Sequence, residues 1–364
     1  MTYPRHRGIV PLVTLLLGLI VLAGPDSPIA PDSLMAQEQP PASPPDDWGV
    51  TAIDYSNVPY PYPVEFLPVE VYGQDLRMAY MDAPPTGTPN GRTVVLFHGM
   101  NFFGAVFGDT MERLTEAGFR AIAIDRLGYG RSSKPVMQYN LHIPARNTRR
   151  LLDHLGVDQA AIVGHSMGGM VASRFAMTYP ERTSHVVMVN QIGLSDQRPE
   201  REWSEPTAGD PEDITPQEYY ESVLRSHQRY YVAGWDNEYL EWVKYPFGLI
   251  YSGEFPRWLE MRARQGQILF EDEVVYDWQH IDSKALVIGG ADDPLSADFA
   301  AEARNVAEEL QNAQLILYDD VGHAPAFEIP ERFHSDLIEF LESDPNEPAD
   351  QGWVDSDWGV RDSG

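Results

Sequence analysis

Ala161-Ile162-Val163-Gly164-His165-Ser166-Met167-Gly168-Gly169 is the stretch on which the reading of this chain turns. Three apolar residues of strand character run into Gly-x-Ser-x-Gly, and an Ala- and Met-rich helical pattern follows from Met170 to Tyr179. A serine hydroxyl is a poor nucleophile unless the backbone holds it out and a base can reach it. A tight strand-to-helix turn does the holding. It needs glycine on both sides, because β-carbons at 164 and 168 would collide there. The helix that starts at the same point aims free N–H groups and a positive dipole end at the place where an oxyanion would form.

Outward from this turn, strand and helix patterns alternate. Strand-like runs at Thr93–Phe97, Arg120–Ile124, Ala160–Val163 and Ser184–Val189 are separated by helical spacing at Phe107–Ala117, Ile143–Leu155 and Met167–Tyr179. The alternation resumes with Ala285–Ile288 (strand), Ala297–Leu310 (helix), Gln314–Leu317 (strand) and Glu328–Leu341 (helix). Two earlier strand-like runs, Val69–Tyr72 and Leu76–Met81, flank a Gly73-Gln74-Asp75 turn. Continuous apolar strands alternating with helices predict an α/β fold, a mostly parallel sheet covered on both faces. The core is assigned to 64–194 and 281–343. Between them, 195–280 lacks the rhythm and is rich in aromatic residues, among them Tyr219, Tyr220, Tyr230, Tyr231, Trp235, Trp242, Phe247, Tyr251, Phe255 and Trp258. An insertion of this composition reads as a helical cap, with most of these rings packing it onto the core. No internal repeat is found.

The ends read differently. Arg5 and Arg7 precede an apolar run from Leu12 to Ala23, too short to span a bilayer comfortably and the right length for a signal-peptide core. Residues 1–36 are assigned to it, with cleavage after Ala23 or Ala36 both open and an uncleaved anchor the alternative. The folded part is expected in the periplasm or outside the cell, without stable membrane insertion after processing. Residues 37–63 form a Pro-rich linker that begins to dock, and 344–364 an acidic tail.

The chain carries 55 Asp and Glu against 26 Lys and Arg, a formal charge of −29. Such a field repels nucleic acid and disfavours polyanionic substrates. Only Lys134, Lys244 and Lys284 supply lysine charge. Many carboxylates with almost no lysine suit either a protein kept soluble at high salt or an ordinary acidic exported one. With no cysteine, thiolate catalysis, disulfides and Cys-based metal sites are excluded. No spacing of metal ligands or phosphate-binding glycines is present, so neither metal nor cofactor is expected.

Acyl-transfer chemistry needs a nucleophile, a base, a group orienting the base and donors for the oxyanion. The strand Leu286–Ile288 runs into Gly289-Gly290-Ala291-Asp292-Asp293-Pro294, and the strand Leu315–Leu317 into Asp319-Asp320-Val321-Gly322-His323-Ala324-Pro325. His323 would take the proton of Ser166, and an aspartate would fix its tautomer. Neighbours in extended chain point opposite ways, so only one of Asp292 and Asp293 can face the histidine. Phe97-His98-Gly99-Met100-Asn101 turns sharply after another strand, and the backbone N–H groups of Met100 and Met167 are the candidate oxyanion donors. His98 and His165 read as loop histidines bonded to backbone.

These stretches resemble the α/β-hydrolase superfamily, in its capped branch with esterases, C–C hydrolases, epoxide hydrolases and haloalkane dehalogenases. The resemblance is carried by His98-Gly99, Asp125-Arg126-Leu127-Gly128-Tyr129-Gly130-Arg131-Ser132, Gly164 to Gly169, Gly290 to Asp293, and Gly322 to Pro325 with Glu328 and Pro330. It implies a Ser166, Asp293, His323 triad in that chain order, because the family's acid lies three residues after the glycine, here Gly290. It also implies that the cap sets substrate choice. The epoxide hydrolases and dehalogenases of this branch use an aspartate nucleophile, and position 166 is serine. The expectation is therefore a serine hydrolase acting on a small, fairly apolar carboxylic ester or related acyl compound. C–C hydrolysis or perhydrolysis with the same triad is one alternative. A ligand-binding or sensing protein with little turnover is another. Cap arginines Arg225, Arg229, Arg257, Arg262 and Arg264 are candidates to grip a substrate carboxylate, with salt-bridged helix faces the alternative. Oligomeric state is left open.

Overall fold

The apolar runs assemble into one twisted sheet in the computed structural model, which describes residues 38–196, 198–199 and 202–349 and the backbone of 353–354. Its strands are β1 (Val64–Val71), β2 (Gln74–Ala83), β3 (Thr93–Phe97), β4 (Arg120–Ile124), β5 (Ala160–His165), β6 (Thr183–Val189), β7 (Lys284–Gly290), β8 (Ala313–Tyr318) and β9 (Trp353–Val354). Among the described residues they lie in the order β1-β2-β4-β3-β5-β6-β7-β8-β9. The β1–β2 and β2–β4 pairs are antiparallel; every other pair is parallel.

Parallel strands need crossovers, and helices supply them. The core helices are α1 (Gly108–Glu116), α2 (His142–His154) and α3 (Met167–Thr178). The insertion between β6 and β7 holds α4 (Pro216–Gln228), α5 (Leu240–Gly248), α6 (Phe255–Gly266) and α7 (Ile268–Glu271). Then follow α8 (Phe299–Glu309), α9 (Pro325–Glu328) and α10 (Pro330–Glu342). Alternation along β3 shows how both faces are covered. Val95 and Phe97 join a cluster with Leu151 of α2, Phe175 of α3 and Val306 of α8. Val94 and Leu96 pack instead with Met111 of α1 and Leu337 of α10. The sheet is thus buried on both sides, as its continuous apolar strands require.

Two elements differ from their sequence reading. The single helix expected over Glu328–Leu341 is broken at Pro330, whose ring removes an N–H and drives Ile329 to φ −138°. β1 begins at Val64, not Val69, because as an edge strand it buries one face only and Glu65 and Pro68 hide its pattern.

The Pro-rich stretch is a strap rather than a spacer. Trp48 packs against Tyr220 and Phe247 of the cap at 5.9 and 5.8 Å between ring centroids. The Thr51 N–H donates to Gly248 O at 3.0 Å. Farther along, Tyr55 and Val58 are buried and the Tyr60 hydroxyl donates to Asp125 at 2.6 Å. The acidic tail is tied as far as it is described: Lys284 Nζ donates to Asp344 O at 3.1 Å, and β9 pairs beside β8. The signal-peptide segment, 1–36, lies outside the described residues. No described helix is long and apolar enough to cross a membrane.

Candidate active site

Gly164 closes β5 and Gly168 lies in the first turn of α3. A β-carbon on Gly164 would sit 2.0 Å from Gly168 O, and one on Gly168 would sit 2.0 Å from Phe97 O. Neither position admits any side chain. Between them Ser166 adopts φ 57°, ψ −123°, a conformation that costs a non-glycine residue on the order of 1–3 kcal/mol. The Ser166 N–H to Val189 O bond at 2.9 Å and the Gly169 N–H to Ser166 O bond at 2.9 Å hold it there. Strain at this one residue turns the chain from strand to helix.

Asp293 and His323 come from the loops after the neighbouring strands β7 and β8. His323 Nδ1 lies 2.6 Å from Asp293 Oδ2, with both side chains buried. Asn190 Nδ2 donates to the same oxygen at 2.9 Å, and the Leu295 N–H donates to Oδ1 at 2.9 Å. Burial pushes the Asp293 carboxyl up, but the imidazole and these bonds outweigh it and hold it below the usual carboxylate range. Asp292 points away and accepts from the Asp320 N–H at 2.8 Å. Of the two aspartates, Asp293 faces the histidine.

His323 Nε2 is buried without a hydrogen-bond partner, so no bond joins it to Ser166 here. The His323 ring lies 4.9 Å from that of His165, the residue beside Ser166. The His165 Nε2 to His323 O bond at 2.8 Å ties the two loops together. Burial, with the His323 charge second, lowers the His165 pKa to about 3. His98 Nδ1 bonds Gly99 O at 2.7 Å, and burial, then the Arg126 charge, keeps it well below its usual pKa. Both are neutral loop histidines, as read.

The loop after β3 passes directly over Ser166. A β-carbon on Gly99 would lie 3.0 Å from Ser166 Cβ and 3.4 Å from its Oγ. The Met100 side of this loop is held by residues that no local pattern singled out. The Gly99 carbonyl accepts from Arg126 Nη2 at 3.2 Å as well as from His98. Arg262 of α6 donates to Met100 O at 2.9 Å and to Asn101 Oδ1 at 2.9 Å. Asn101 Nδ2 in turn donates to the Tyr230 hydroxyl at 2.6 Å. Met167 opens α3, where its N–H has no intrahelical acceptor.

The cap also grips the histidine loop. The His323 N–H donates to Tyr230 O at 2.8 Å. Glu328 accepts from the N–H groups of Val232 and Ala233 in the cap, at 2.8 and 3.0 Å, and from Gly322 at 2.9 Å. Of the cap arginines, Arg257 pairs with Glu254 and Arg264 with Glu260, while Arg225 is exposed. Arg229 is half-buried near Tyr230, and among the described residues Arg262 is the cap arginine that hydrogen-bonds the loop after β3. Sequence reasoning listed it only among five equals; its position at helical spacing from Trp258 and Gln265 was the available signal. Tyr230 was named only among the cap's rings and Asn101 only as part of the turn after Phe97, while nothing in the sequence singled out Asn190.

This geometry matches what comparison finds. Residues 92–330 match the family described as alpha/beta hydrolase fold, and the chain belongs to that family. Among solved structures it is similar to a probable hydrolytic enzyme from Pseudomonas aeruginosa PAO1, at 32% identity and TM-score 0.71, covering 81% of this chain and 99% of that one. An enol-lactonase from Burkholderia xenovorans LB400 shares the fold at 20% identity and TM-score 0.58, over 77% and 100% of the two chains. A shorter match joins it to epoxide hydrolase B of Mycobacterium tuberculosis, 38% identical over 31% of this chain and 32% of that protein. Bifunctional epoxide hydrolase 2 of Sus scrofa is 35% identical over 28% of this chain and 19% of its own length. The chain therefore matches a third or less of the length of these curated relatives.

Proposed function

We propose that this chain is a serine hydrolase that cleaves a small, fairly apolar carboxylic ester or related acyl compound through an acyl-enzyme. Ser166 attacks the acyl carbon, His323 accepts its proton, and Asp293 holds the imidazole tautomer. The N–H groups of Met100 and Met167 receive the oxyanion. Collapse expels the alcohol, protonated by His323; water activated by the same imidazole then releases the acid.

The observation that carries the reading is the strained Ser166 turn on the adjacent loop to a buried His323–Asp293 pair whose Nε2 is left without a partner. Rotation of the serine about χ1 is the motion that would offer its hydroxyl to that nitrogen, and such bonds commonly tighten only when substrate is bound. Serine at 166 also separates this chain from epoxide hydrolysis, despite its epoxide-hydrolase relatives. The apolar character of the substrate is supported by the rings around the loop: Phe102 lies within 6.1 Å of His227, Tyr230, Trp242 and Phe327. The Arg5, Arg7 and Leu12–Ala23 pattern supports action outside the cytoplasm.

Turnover of short p-nitrophenyl esters, compared with the Ser166→Ala variant, tests the reading. A fluorophosphonate should label Ser166 and nothing else. Absent turnover and absent labelling would leave a binding protein on a hydrolase fold. The same panel with dienoate and peroxide substrates separates ester cleavage from C–C cleavage and perhydrolysis.

A further inference from the structure

Arg126 lies in the turn after β4 and is 4% exposed, yet among the described residues no carboxylate pairs with its guanidinium. Its neighbours are the Tyr129 ring, 4.5 Å below the guanidinium, and a second cation, Arg262, whose own guanidinium is 5.6 Å from the same ring. Nη2 is used on Gly99 O, but Nε is buried with no partner. Among the described residues the other buried arginine, Arg174, pairs with Asp272 and Asp277, so Arg126 stands apart. An uncompensated buried charge costs several kcal/mol, roughly, and is ordinarily paired.

Two further orphaned groups line the same cavity as Arg126. Asn147 of α2 is fully buried with both amide atoms unpartnered. Gln265 of α6 is fully buried too, and its Nε2 has no partner. The orientation of the Gln265 amide is set by Arg262 Nη1, which donates to Oε1 at 3.0 Å, so the free end is the donor end. The cavity they share measures about 20 Å³. That is room for one water-sized occupant. Its other walls mix apolar side chains, Met78 and Ile268 among them, with Tyr129, Tyr139 and Asn140.

We propose that this cavity is a binding site for a small monoanion such as chloride, held by Arg126 Nε, Gln265 Nε2 and the Asn147 amide. Water is the rival occupant. It would satisfy some donors but leave the buried guanidinium without a counter-ion. A halide accepts from every donor and cancels that charge. The site has a further consequence, which rests on the assignment of the Met100 N–H to the oxyanion. Gly99 C=O and Met100 N–H belong to one planar peptide and point opposite ways. The guanidinium that would hold the anion is the one that holds this peptide in place, so occupancy stiffens the donor.

Crystals soaked in bromide should show an anomalous peak within hydrogen-bonding reach of Arg126 Nε and Gln265 Nε2. In solution the melting temperature should be about 3 °C higher in sodium chloride than in sodium gluconate at equal ionic strength, since gluconate cannot enter. The difference should vanish in Asn147→Leu, which fills the cavity. A water without halide in the soaked crystal, with melting equal in the two salts, overturns the site. Ester turnover should be several-fold faster in chloride. Bromide bound and melting raised, with turnover unchanged, would keep the site and remove its link to the oxyanion loop.

Discussion

Two loops meet over Ser166, and they are held in opposite ways. The turn between β5 and α3 is built from its own sequence: glycines at 164 and 168, a helix that begins at once, and one strained residue between. The loop after β3 is built from elsewhere. Its first carbonyl is held by Arg126, its next by Arg262 of the cap, and its Asn101 side chain by Arg262 and Tyr230. The Ser166 turn is therefore mainly a local device, and the loop after β3 a tertiary one. Loss of the cap would spare the first and loosen the second.

The comparison breaks most severely at the nucleophile. Ser166→Ala should lower ester turnover by on the order of 10⁴-fold or more while leaving the fold intact, measured by initial rates and by circular dichroism. Retained turnover would move the chemistry away from the elbow. Gly164→Ala, next in size, should destabilise the fold by about 4 kcal/mol or more, because backbone oxygen occupies the space its methyl would need. A denaturant midpoint near that of the parent would mean that the turn can yield.

The oxyanion loop should respond more mildly and in a different parameter. Arg262→Met should reduce kcat by about 10- to 100-fold with a smaller change in KM, and weaken a phosphonate or boronate transition-state analogue in parallel. Arg262→Lys should not restore it, since a single ammonium cannot reach Met100 O and Asn101 together as the planar fork does. A change confined to KM would make Arg262 a substrate contact instead.

The smallest effect concerns three buried imidazoles, His165 and His227 near Phe102 and His185 at the far end of β6. Burial lowers His165 and His227 to about 3 and His185 to about 4. Folded, each resists a proton that the unfolded chain accepts near pH 6.5. Stability is therefore complete above that pH and falls as pH drops from about 6.5 toward those values. Urea midpoints between pH 7 and 4.5 should record this. His227→Phe, in a cap pocket beside Phe102 and Tyr230, should flatten the slope by about 2 kcal/mol over the full window. An unchanged slope would show that His227 meets water in solution.

The difference between the loops explains how much was legible beforehand. Gly-x-Ser-x-Gly declared its turn because steric exclusion at Gly164 acts from Gly168, four residues on, although Gly168 itself is hemmed in by the more distant Phe97. His323 and Asp293 were readable because each follows an apolar strand, and parallel strands deliver their ends to one side of the sheet. Asp293 over Asp292 came only from a resemblance; the pairing at 2.6 Å is geometric. The strap at 38–63 was underestimated, because proline-rich composition does not reveal that Trp48 and Tyr60 find partners some 170 and 65 residues away.

Sequence alone determined the alternating strands, the sheet they form, the turn at Ser166 and the placing of Asp293 and His323 after strands, since each depends on short-range sterics or on apolar periodicity. Tertiary structure alone decided that Arg262, out of five cap arginines, reaches the loop after β3, and that Arg126 is buried with no carboxylate partner among the described residues. Hydrogen bonds between groups more than a hundred residues apart leave no periodic trace, because their partners are fixed by how helices pack and not by where they stand in the chain.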